Sequence, residues 1–155
     1  MTIKITIFLG ILLVFLILII GFNQWNLSNT KQMQNTIFQK KYKIFSADYD
    51  ISFVSKENKR YTPSDQDVQN GIQILENFLK NNSAIQDLGK YKIQFFGYTD
   101  KDNKKILWAN FFCNDHGRNW KKEPIFVKDG GNCYFNVKVN LDTKEVFDFI
   151  INGEA

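Results

Sequence analysis

One histidine, two cysteines and two prolines are all that 155 residues supply of those types, and nowhere do they assemble a catalytic or cofactor motif. Two thiols and a single imidazole fall short of the four ligands a structural zinc site takes, so no metal or cofactor is expected. Asp100-Lys101-Asp102-Asn103 reads as a plain turn in preference to a calcium loop, since it lacks the glycine and the distant glutamate and lysines crowd it. Nucleic-acid binding lacks its electrostatic footprint, because residues 61–155 hold twelve Lys and Arg against thirteen Asp and Glu. Internal repeats and low-complexity blocks are also missing.

Charge is absent from a long stretch near the start. Residues 5–22, ITIFLGILLVFLILIIGF, are almost wholly apolar, and no charged side chain lies between Lys4 and Lys31. At about 1.5 Å per residue, such a helix spans roughly the hydrocarbon core of a bilayer. The run therefore predicts a transmembrane anchor over 1–23 that contacts lipid through residues 5–22. A cleaved secretory signal is the competing reading. Against it, Phe22-Asn23-Gln24-Trp25 offers no pair of small residues for a signal peptidase, whereas Trp25 suits the headgroup level.

Orientation follows from two opposing arguments. Residues 31–60 hold seven Lys and Arg against three acids, which pulls the following domain toward the cytoplasm, while Lys4 and the amino terminus pull the other way. The cysteines tip the balance toward export. Cys113 ends one predicted strand and Cys133 opens another, so a hairpin-like return sets them side by side as a disulfide, with two buried free thiols as the alternative.

Residues 24–41, rich in Asn, Gln and Thr, read as a polar stalk, and 42–155 as one α+β domain. Its expected first strand is the alternating Tyr49-Asp50-Ile51-Ser52-Phe53. Thr62 as cap and Pro63 at the first helical position open a helix, whose stripe is Val68, Ile72, Leu75 and Leu79. From Tyr91 the period becomes two, with a bulge expected near Gly97. Strands then follow over 106–113, 133–141 and 145–151, with a brief extended piece at 125–127. Glycines 130 and 131 are expected to supply turn angles that other residues avoid. The predicted architecture is one helix packed on a curled four- to five-stranded antiparallel meander.

One loop gathers chemically useful side chains: Asn114-Asp115-His116-Gly117-Arg118-Asn119-Trp120. His116, Arg118 and Trp120 form the candidate partner-binding set, set against a plain surface loop whose tryptophan folds back on the core. Catalysis here would need a nucleophile, and Cys113, the nearest, is expected to be bonded.

A helix followed by four meandering strands over residues 49–151 resembles the cystatin-like fold. The inhibitors of that family carry a Gln-x-Val-x-Gly wedge in the first hairpin loop, where this chain has Thr99-Asp100-Lys101-Asp102-Asn103-Lys104-Lys105, so the resemblance implies fold without protease inhibition. The closing DGGNCYF and NGEA are similar to small bacterial envelope proteins of undefined activity. The expected function is a non-enzymatic binding or accessory module. It would be anchored in the bacterial inner or cytoplasmic membrane, with its carboxy-terminal domain periplasmic or extracellular and another envelope protein as partner. A ligand or enzymatic pocket between helix and sheet, or an inhibitor of a protease or toxin, are the alternatives.

Overall fold

Two long strands, buried along nearly their whole length, organise the domain. β3 (Lys92–Thr99) and β4 (Lys105–Phe112) pair antiparallel along their whole length, from Lys92 opposite Phe112 to Thr99 opposite Lys105. β5 (Tyr134–Asn140) continues the meander on β4, and β6 (Val146–Ile151) closes it on β5 with a register shift between Asn136 and Lys138. The computed structural model describes residues 15–28, 41–51, 58–85 and 87–153. The chain divides into two compact units, Met1–Lys40 and Lys41–Ala155.

In the first unit, residues 15–28 are helical, and Phe15, Leu16, Ile17, Leu18, Ile19, Ile20 and Phe22 each expose half or more of their surface. Among the described residues no helix is long and apolar enough to cross a membrane. The expected span begins at residue 5, and residues 5–14 lie outside the described set, as do 29–40 of the expected stalk.

In the second unit the described sheet has six strands and is mixed, which corrects the expectation of an all-antiparallel meander. The outer side of β3 carries two short strands end to end. β1 (Tyr42–Ile44) runs parallel to it, from Tyr42 opposite Ile93 to Ile44 opposite Phe95. β2 (Lys59–Tyr61) runs antiparallel, with Tyr61 opposite Gly97. The first strand therefore lies at 42–44, and residues 49–51 of the predicted one form no strand; 52 and 53 are outside the described residues. Tyr49 and Ile51 instead pack as irregular cover over Phe45, Phe96 and Trp108. Arg60 holds this cover down, with Nε donating to Gly97 O at 2.9 Å and the guanidinium reaching the carbonyls of Tyr49 and Ser46.

The helix over Asp65–Leu79 has Ser64 as its N-cap, not Thr62, and Pro63 precedes the cap. Ser64 Oγ accepts from Asp67 N at 3.1 Å while Asp67 Oδ2 accepts from Ser64 N at 3.0 Å, a reciprocal capping box that ties both orphan donors. Thr62 faces elsewhere, its Oγ1 accepting from Ala47 N. The predicted stripe of Val68, Ile72, Leu75 and Leu79 is buried, and the helix packs on β4, β5 and β6.

No bulge interrupts β3 at Gly97, which pairs regularly with Leu107. A Cβ there would come within 2.6 Å of Tyr61 O and 2.9 Å of Pro63 Cγ, so the glycine admits β2 rather than bending β3. On the helix-facing side Phe111 stacks on Phe135 with centroids 4.4 Å apart. The opposite face is covered by irregular chain at both ends: residues 45–51 at one, and at the other the loop that leads from Cys113 to Val127.

Candidate functional site

The loop after β4 is fixed by a polar network that begins inside the sheet. Gln94 on β3 and Asn110 on β4 stand opposite each other, both buried, on the face away from the helix. Gln94 Nε2 donates to the carbonyls of Trp120 at 2.6 Å and Glu123 at 2.8 Å. Its Oε1 accepts from Ile125 N at 2.8 Å and from Asn110 Nδ2 at 3.2 Å. Asn110 Nδ2 also donates to Ile125 O at 2.9 Å. Two donors and two acceptor sites are all a glutamine side chain has, and here each is used. The network thus plays the part of a β-ladder for a segment with no strand of its own; residues 125–127 form none.

The near end of the loop is fixed covalently. Cys113 and Cys133 form a disulfide, with Cα atoms 5.1 Å apart, and Cys113 N donates to Cys133 O at 2.9 Å. The pairing expected from the strand ends is therefore observed, and Cys113 is exposed.

His116, Arg118 and Trp120 do not converge on one point. His116 is exposed at φ 52° and is followed by Gly117 at φ 73°, so the chain reverses sharply there. Its ring stacks on Tyr134, and His116 Nε2 lies 2.6 Å from Tyr134 Oη. The Tyr134 hydroxyl donates to Asn114 O at 3.0 Å, which assigns the proton of the shorter contact to the imidazole nitrogen. Burial pushes the Tyr134 phenol up, partly countered by Arg118, so the hydroxyl stays neutral and bonded. Arg118 is half-buried, and its Nη2 is buried with no hydrogen-bond partner among the described residues.

Trp120 folds back on the core instead of projecting. Its ring meets Phe112 edge-on at 5.9 Å and joins the cluster of Phe112, Ile125 and Tyr134. Lys92 Nζ sits 5.6 Å and Lys121 Nζ 5.4 Å from its centroid. Lys92 also pairs with Asp115; that hydrogen bond, with a second from Gly117 N, holds the carboxyl below its ordinary range. The exposed residues of the loop are Asn114, His116, Gly117, Asn119, Lys121, Lys122, Glu123 and Phe126, the last 44% exposed and stacked on Trp108.

Of the residues that position the loop, Asp115 lies in the expected candidate loop, whereas Gln94, Asn110 and Lys92 are not legible as its support from the sequence. Gln94 and Lys92 alternate with Ile93 and Phe95, so they read as a solvent face. The available signal was an uncharged amide at matching depth in two adjacent apolar strands. Among the described residues no cluster of His, Cys, Asp and Glu could hold a metal ion. No protein-family model, curated protein or solved structure matches the chain.

Proposed function

We propose that this chain is a membrane-tethered binding module of the cell envelope, exported to the periplasmic or outer face, that engages a partner protein through residues 114–126. The observation that carries the reading is the fixation of that loop by Gln94, Asn110 and the disulfide. A surface loop without secondary structure loses conformational entropy when it binds, and one already held in place does not lose it again. The exposed groups of the loop, with His116, Lys121, Lys122 and Phe126 among them, are thereby preorganised for contact. Trp120, half-buried against Phe112, is the support beneath them.

Two further features support the tether and the compartment. Helical residues 15–22 are apolar on all sides and exposed, a surface that calls for lipid or protein around it. A disulfide with one exposed cysteine, Cys113, persists where the surroundings are oxidising. The helix-then-meander order of elements is what supports the cystatin-like resemblance. Photo-crosslinking in cells tests the reading: a benzophenone amino acid at Asn119 should give a discrete adduct, and one at Asp102, on the exposed β3–β4 turn, should not. Absence of an adduct from every exposed position of the loop would refute it.

A further inference from the structure

β1 is an edge strand, and its polar groups alternate between two directions. Ile93 N donates to Lys41 O at 2.8 Å and Phe45 N to Phe95 O at 2.9 Å, so residues 41, 43 and 45 turn their backbone groups to β3. Tyr42 and Ile44 turn theirs outward, where no described strand pairs with them.

A groove with a cavity volume of about 610 Å³ runs along that edge. One wall is the turn from Thr62 to Asp65 that enters the helix, and the other is the corner at Lys121 and Lys122. The volume falls within the range of ligand sites, and an edge strand flanked by a helix is a geometry that receives extended peptides. The charge of the lining is one-sided. Lys43, Lys121 and Lys122 line it against the single carboxylate of Asp65, which already lies against the Tyr42 hydroxyl. Those three lysines form no ion pair among the described residues.

The faces are also distinct. Lys43 pairs with Gln94 and so shares the face of the 121–122 corner, whereas Ile44 pairs with Phe95 and shares the face of the helix. We propose that the groove takes an extended acidic segment of a partner protein as an added strand on β1. Alternate side chains of that segment point to opposite faces, which places carboxylates against the three lysines and apolar groups against Ile44 and Pro63. The inference rests on the binding-module reading and names the chemistry of the partner.

The test uses the full chain in detergent and a synthetic hexapeptide, Glu-Val-Glu-Val-Glu-Val, with Lys-Val-Lys-Val-Lys-Val and inorganic pyrophosphate as controls. The acidic peptide should slow hydrogen exchange at the Ile44 amide at least tenfold. Lys43→Glu with Lys122→Glu should weaken its binding at least tenfold at an unchanged unfolding midpoint. Pyrophosphate matching the peptide's effect at β1 would reduce the groove to an anion site and overturn the proposal. Equal binding of the lysine peptide would overturn it too. Protection of Ile44 that rises with protein concentration alone would identify a second copy as the occupant, again overturning it. If Asn119 crosslinks a partner in cells while the acidic peptide leaves β1 unprotected, the groove proposal fails and the loop reading stands. Protection of β1 without any loop adduct would support the groove and refute the loop.

Discussion

Asn110 Nδ2 donates to Gln94 Oε1 at 3.2 Å between directly opposed positions of β3 and β4, and both side chains are buried. The pair turns the middle of an apolar sheet face into a receptor for the backbone of a loop. Replacing Gln94 by leucine keeps the volume and strands the Trp120 and Glu123 carbonyls and the Ile125 amide. Because each buried orphan costs about 1–3 kcal/mol and the loop relaxes toward water, a net loss of about 3 kcal/mol is expected. A urea midpoint measures it, and faster exchange at the Ile125 amide locates it.

The disulfide closes a segment with a sequence separation of 20, for which loop-closure entropy gives about 3 kcal/mol of stabilisation. Cys133→Ser should lower the unfolding midpoint accordingly. In cells, acid quench and alkylation with a heavy maleimide should show the pair oxidised; two alkylatable thiols would place the domain on the cytoplasmic side.

Gly97→Ala sets strand propensity against contact. The new methyl would lie 2.6 Å from the backbone oxygen of Tyr61, which cannot swing aside as a side-chain tip can. Overpacking should dominate, costing about 2 kcal/mol and loosening β2, as read from exchange at the Tyr61 amide.

Acid should weaken the start of the helix through Asp67. Burial raises that carboxyl's pKa, yet its bonds from the Ser64 backbone and hydroxyl and from Lys105 outweigh this and leave it below its ordinary value. A carboxylate with a depressed folded-state pKa contributes stability above its unfolded value and loses it as pH falls through the folded one. The contribution should therefore fade below about pH 4. Asp67→Asn should lower stability at neutral pH and flatten that acid limb.

The meander was legible because β5 alternates and β3 and β4 are aromatic-rich apolar runs bounded by polar turns, and the helix because its stripe is regular. β1 and β2 were not, since three residues each carry no periodicity and their place is set by β3. Tyr49-Asp50-Ile51 alternates like a strand because Ile51 is buried and Tyr49 half-buried as cover, and burial alone produces the pattern. Ser64 was overlooked as a cap because Thr62-Pro63 satisfies the same residue preferences two residues earlier, and only the bond to Asp67 separates them. The disulfide was visible from matching strand ends. The site's support was not, because Gln94 looks solvent-facing unless the loop that covers it is known.

A loop fixed from beneath should carry the partner contact only while its support is intact. This is tested most directly by comparing the yield of the Asn119 crosslink in cells between the native chain and Gln94→Leu, at equal protein level and with the sheet intact by circular dichroism. At least a tenfold lower yield is expected in the variant, since the loop must then be ordered at the moment of binding. An unchanged yield would mean that the fixed geometry is irrelevant to the contact, and would contradict this expectation.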